Sequence, residues 1–215
     1  MNNLTELSIF AQLYLLITIV GFLLAFIISI SVTYKRLGEV PPHRHDLRNF
    51  ILIFISIIWI IVCLALVINP TLIDLFGAIN LLMTGSIHSL IMFIGVIFAI
   101  FGIGLLFLAF LEMGNSFRMG IPPDDEEPAL LITTGVFKYI RNPGFLAYDL
   151  GAMGTFLFAP SLGLLLIVLS IFVIFHFQIL QEEQYLTKVH GEIYLKYLNS
   201  TGRYLPKFRK SNIYF

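Results

Sequence analysis

Gly135-Val136-Phe137-Lys138-Tyr139-Ile140-Arg141-Asn142-Pro143 is the stretch around which this chain reads most coherently. It combines a backbone-permissive glycine, two cations, an amide and a proline suited to the first turn of a helix. Beyond it, Gly144 to Phe158 is mostly apolar and stops at Ala159-Pro160; a second apolar run, Leu162 to Leu180, ends on Gln181-Glu182-Glu183. A polar loop and a pair of carboxylates thus bracket two apolar segments. The spacing predicts a helical hairpin, re-entrant or tilted, with the loop and the carboxylates as the two jaws of a cofactor site at a membrane surface.

Composition supports the membrane. Of 215 residues 58% are hydrophobic and 12% charged, which excludes an ordinary soluble surface. The formal net charge of zero hides segregation, because all 13 Lys and Arg residues fall within 35–48, 118–141 and 188–210. Cys63 is the single cysteine, so neither a disulfide framework nor a multi-cysteine metal site is available, and a packing role is expected. No metal site is expected from the remaining residues.

Upstream of the hairpin three further apolar runs are long enough to span. Ser8 to Thr33 exceeds the roughly 30 Å hydrocarbon thickness at about 1.5 Å per residue. It is also far longer than a signal-peptide core of roughly 7 to 15 residues, so it is expected to remain as an anchor. Phe50 to Ile68 and Met83 to Leu111 follow, the latter with Gly85, Gly95, Gly102 and Gly104 placed to allow close helix approach. Between the first two lies a basic loop with His43, Arg44 and His45, read as juxtamembrane charge and not as a metal or phosphate site. Asp124-Asp125-Glu126-Glu127 reads as a solvated turn, and His88 as a hydrogen-bonded packing residue. After the hairpin, Tyr185, Leu186, Val189, Ile193, Tyr194 and Tyr197 form an apolar stripe at helical spacing, predicting an interfacial helix over 181–198.

The fold class is therefore all-α: a polytopic membrane helical bundle of about five transmembrane elements, the C-terminal hairpin included, followed by an interfacial cytoplasmic helix. Residues 1–111 form three N-terminal transmembrane helices and 112–215 the cofactor-binding region. Five crossings put all three basic regions on one side, with the N-terminus outside and the C-terminus cytoplasmic. Membrane lipids and a lipophilic substrate entering from the bilayer are the partners this implies, and nothing suggests nucleic acid.

The sequence has no Gly-x-Gly-x-x-Gly after a strand, no phosphate-binding Gly-Lys-Ser/Thr, no His-Glu-x-x-His and no Gly-x-Ser-x-Gly. Three other pieces, residues 135–143, Glu182-Glu183-x-x-Leu186, and His190-Gly191-x-x-Tyr194-x-x-Tyr197 with Gly202-Arg203-x-x-Pro206, resemble the isoprenylcysteine carboxyl methyltransferase family. The resemblance covers about 113–206, with a weaker contribution from Gly114 to Arg118. It implies an integral membrane methyltransferase using S-adenosyl-L-methionine. By position it places the cofactor against Leu130, Leu131, Ile132, Gly135, Phe137, Arg141, Asn142, Pro143, Phe145 and Glu182. Main-chain groups beside Gly135 suit adenine or ribose, aromatic faces suit the ring, and Glu182 suits the cofactor's amino group, with Glu183 facing solvent.

Two positions depart from the family's pattern. Asn142 stands where histidine is commonest, keeping a donor and an acceptor but losing titration near neutral pH. Gln178 stands where an arginine is frequent, and a neutral amide cannot clamp a substrate carboxylate. Methyl transfer is an in-line displacement that depends mainly on alignment and exclusion of water. An amine, thiol or hydroxyl acceptor would need a base, for which Asp149, Glu183 and His176 are candidates; Gln178 and Arg203 complete the substrate-end set, Arg203 either capping the site or binding lipid phosphate. Rival readings are phospholipid or amine N-methylation, a sterol-type reductase using NADPH, and a non-catalytic membrane protein; the absence of an internal repeat disfavours a carrier.

Overall fold

The computed structural model describes residues 2–37, 47–69, 72, 86–116 and 130–207. Six α-helices occur among them: α1 (Asn2–Leu37), α2 (Leu47–Ile68), α3 (Ser86–Met113), α4 (Pro143–Phe158), α5 (Leu162–His190) and α6 (Glu192–Ser200). Single 3-10 turns occupy Gly114–Ser116 and Gly135–Lys138. No strand forms among the described residues, though Ile140 and Gly202 make an isolated parallel bridge. The expected His43–His45 loop, the acidic turn 124–127, Gly85, the His88 side chain and the end of the tail lie outside what is described.

Each boundary has a local cause. Pro143 occupies the first turn of α4, whose last turn is closed by the Ala159 N–H on the Thr155 carbonyl. Ser161 caps α5, its hydroxyl accepting from the Leu164 N–H at 3.3 Å. The chain expected to start a new surface helix at 181 instead continues α5 without interruption to His190. Nothing between 181 and 190 breaks a helix; Gly191 does, at φ +53°, and only the short α6 follows.

α3 packs most closely on α4. Built onto the glycines of this crossing, a Cβ at Gly95 would stand 2.9 Å from the Gly154 carbonyl, and one at Gly154 would stand 2.8 Å from the Gly95 carbonyl. Gly102 likewise faces the Ala147 carbonyl, so two of the glycines picked out by sequence do permit backbone contact, while Gly104 looks onto open space. Tyr14 of α1 donates its hydroxyl to the Gly95 carbonyl at 2.9 Å and stacks on Phe158, drawing α1 onto the crossing. Trp59 of α2 donates to Thr155 at 3.1 Å, and Cys63 is fully buried beside this cluster, as a packing residue should be.

The outer faces are apolar. Phe10, Ile17, Ile100, Phe101, Leu166 and Phe177 all point away from the core, a surface suited to lipid and not to water. Ser89–Met113 and Leu162–His190 are long and apolar enough to cross a membrane; Gln12–Ile28 and Phe54–Ile68 are shorter apolar segments. At 16 residues α4 reaches only about 24 Å, shorter than the roughly 30 Å hydrocarbon layer.

Candidate functional site

The quoted loop is held at three points. Gly135 adopts φ +53°, the left-handed region, and a Cβ there would fall within 1.8 Å of all three atoms of the Glu112 carboxyl group. That carboxylate, at the end of α3, accepts the Val136 N–H at 2.9 Å. From the other side, the Tyr197 hydroxyl of α6 donates to the Phe137 carbonyl at 2.6 Å. Further on, the Arg141 N–H donates to the Gly202 carbonyl at 2.8 Å, and Gly202 has no room for a Cβ because the Leu205 carbonyl lies against it. Residues 135–143 are thereby pinned between α3, α6 and the segment after α6.

The two adjacent glutamates take opposite environments. Glu183 is 5% exposed and accepts from Arg141 Nη2 at 2.8 Å, Arg203 Nη2 at 2.7 Å and Asn142 Nδ2 at 3.3 Å. The expectation that it faces solvent is thus overturned: residue 183 of α5 points into the hairpin, where two guanidinium groups neutralise it. Arg141 extends the cluster, its Nη1 donating to the carbonyls of Leu198 and Thr201. Arg203 is therefore paired inside the protein, and its hydrogen bonds to Glu183 raise its pKa further. Burial pushes the nearby Tyr194 phenol up to about 12, which keeps it neutral beside these charges.

Glu182, half-buried on the next face of α5, is bonded to a neutral group: Gln178 Nε2 donates to its Oε1 at 3.0 Å. Gln178 itself is buried. Of the remaining residues picked out by sequence, Phe145 packs edge-on to Phe175 at 5.2 Å, and His176 shares a 2.7 Å hydrogen bond with the Tyr204 hydroxyl. Leu130 is exposed, Leu131 and Ile132 partly so, Phe137 is buried, and Pro143 begins α4. Asp149 lies deeper along α4, with its Oδ1 buried and without a hydrogen-bond partner among the described residues. Glu112 and Tyr197, which fix the loop, were not picked out as site residues; a lone glutamate closing a long apolar helix was the available signal for the first.

Residues 90–193 match the family described as phospholipid methyltransferase. The chain is also 28% identical over 99 residues to the protein-S-isoprenylcysteine O-methyltransferase of Schizosaccharomyces pombe, covering 46% of this chain and 42% of that one. With its namesake from Saccharomyces cerevisiae it shares 30% identity over 94 residues, 43% of this chain and 39% of the other. Nearly half of this chain resembles these methyltransferases. The chain spans about two fifths of the length of these curated relatives. The resemblance seen in the three motifs thus holds, and the matched stretch contains the loop, the hairpin and both glutamates.

Proposed function

We propose that this chain is a membrane methyltransferase that uses S-adenosyl-L-methionine to methylate a lipophilic acceptor at the cytoplasmic surface, its helices making five crossings with the N-terminus outside. The observation that carries the reading is the sorting of the two glutamates. Glu183 is neutralised internally, whereas Glu182 keeps a carboxylate whose partner is a neutral amide. A half-buried carboxylate with no cation on it among the described residues suits a ligand that brings one, and the donor's amino group is such a cation.

The residues present fit that group. Glu182 would take the amino group, the main chain of Leu130 to Ile132 and beside Gly135 would meet the nucleoside, and the rings of Phe137 and Phe145 would cover its base. Asn142 and Pro143 set the start of α4, and Arg141 holds that start against Glu183. When bound, the donor supplies an electrophilic methyl group on a sulfonium. The protein's part is alignment and exclusion of water, which the apolar hairpin and α3 provide.

The test is thermal stabilisation of the detergent-solubilised protein by S-adenosylmethionine or S-adenosylhomocysteine, compared with NADPH. The expected result is a shift with the first two that Glu182→Ala abolishes. A shift with NADPH and none with the sulfonium or its thioether would overturn the reading in favour of a reductase.

A further inference from the structure

Gln178 and Glu182 stand one turn apart on α5, the spacing at which helical side chains meet. Gln178 Nε2 donates to Glu182 Oε1 at 3.0 Å. The donor is the more enclosed of the two, since Gln178 is 5% exposed and Glu182 is half-buried. Packing around Gln178 therefore fixes the amide, and the amide in turn fixes the carboxylate. A glutamate side chain has several rotatable bonds, and a partner of fixed position selects one arrangement of them. Read from sequence alone, Gln178 belongs to the substrate end of the site. In the fold its amide is committed to the carboxylate that stands ready for the methyl donor.

The kind of partner matters as much as the contact. Glu183, next along the helix, carries two guanidinium groups, so Arg141 and Arg203 are both engaged there. An amide gives Glu182 a hydrogen bond without a positive charge. The negative charge of Glu182 thus stays available to the cation of a ligand, whereas a guanidinium at position 178 would cancel it inside the protein. An apolar side chain there would leave the charge intact and the carboxylate unheld. Position 178 has to hold the carboxylate and spare its charge. Glutamine does both, being neutral, a donor, and long enough to reach one turn along the helix.

We propose that Gln178 is a positioning residue for the methyl donor: it holds the Glu182 carboxylate in place without neutralising it, and so makes the site select its ligand by an ammonium group. The inference rests on the methyltransferase reading and assigns Gln178 to the donor instead of the acceptor. Gln178 acts through Glu182, so its effect appears only on ligands that carry the ammonium, and only while Glu182 keeps its charge.

The experiment uses the full chain in phosphatidylcholine nanodiscs and measures Kd by calorimetry for three probes. These are S-adenosylhomocysteine, its deaminated analogue with hydrogen in place of the amino group, and 5′-methylthioadenosine, which lacks the amino-acid portion altogether. The wild type is expected to bind S-adenosylhomocysteine about tenfold or more tighter than the deaminated analogue. Gln178→Met, which keeps the length and removes the donor, should cut that ratio to about threefold or less. Gln178→Arg should bring the two affinities together, its guanidinium taking the place of the ammonium on Glu182. Neither change should move the 5′-methylthioadenosine affinity by more than about twofold, the mark of an intact fold and nucleoside pocket. In a Glu182→Gln background, Gln178→Met should alter none of the three affinities. Equal weakening of all three probes by both substitutions would make Gln178 a packing residue and overturn the proposal. A ratio left at its wild-type value by both, or a Gln178→Met effect that persists in the Glu182→Gln background, would overturn it as well. A wild type that binds S-adenosylhomocysteine and its deaminated analogue equally would remove this inference and leave the methyltransferase reading standing. A wild type that binds none of the three would remove that reading and the inference with it.

Discussion

Replacing Glu183 by glutamine would remove one charge from a cluster that ties together three separate pieces of chain: the loop through Arg141 and Asn142, α5 through Glu183 itself, and the segment after α6 through Arg203. The Arg141–Glu183 pair is the buried part, with side chains 5% and 7% exposed. Removing one partner of such a pair leaves an uncompensated charge and costs about 3–5 kcal/mol. Arg203 is 32% exposed, so its share is nearer the roughly 1 kcal/mol of a surface pair. For a chain of this size the sum corresponds to a melting point lower by roughly 8–24 °C. The assay is thermal unfolding of the detergent-solubilised protein, extended to a double-mutant cycle. Coupling of Glu183→Gln with Arg141→Gln should be about 3 kcal/mol, and with Arg203→Gln about 1 kcal/mol. A Glu183→Gln protein melting within about 2 °C of wild type, or two equal couplings, would refute the reasoning, since burial would then not be what sets the strength of these pairs.

Two further outcomes follow from packing and from a single hydrogen bond. Gly154→Val should destabilise by about 1–3 kcal/mol, because even its Cβ would stand 2.8 Å from the Gly95 carbonyl; Gly104→Ala, which meets open space, should leave the melting point unchanged. Tyr197→Phe leaves the Phe137 carbonyl without its 2.6 Å donor, at a cost of about 1–3 kcal/mol, and should also weaken S-adenosylhomocysteine binding measured by the same thermal shift, because that carbonyl belongs to the loop we propose to hold the cofactor.

Much of this fold is legible along the chain because its signals are local. Apolar runs of given length mark α1, α2, α3 and α5, Pro143 marks the start of α4, and Ala159-Pro160 marks the bend of the hairpin. The end of α5 is not legible in the same way: polar residues at 181–184 look like an exit from the membrane, yet no helix-breaking feature occurs before Gly191. The glycines of α3 could be picked out together, but which of them meet another backbone depends on how α4 crosses, and only Gly95 and Gly102 do so among those described.

By itself the sequence determined that the molecule is helical and apolar, that its Lys and Arg residues sit in three clusters, and that a loop ending in Arg141-Asn142-Pro143 pairs with the carboxylates at 182–183. It could not say which partners either glutamate meets, since neighbours in sequence share every local property. Tertiary structure decided that. Adjacent positions on a helix point about 100° apart, so α5 turns Glu183 toward two guanidinium groups and leaves Glu182 with an amide. The segment after α6 likewise brings the Tyr204 hydroxyl to His176, a contact between residues 28 positions apart that no spacing along the chain contains.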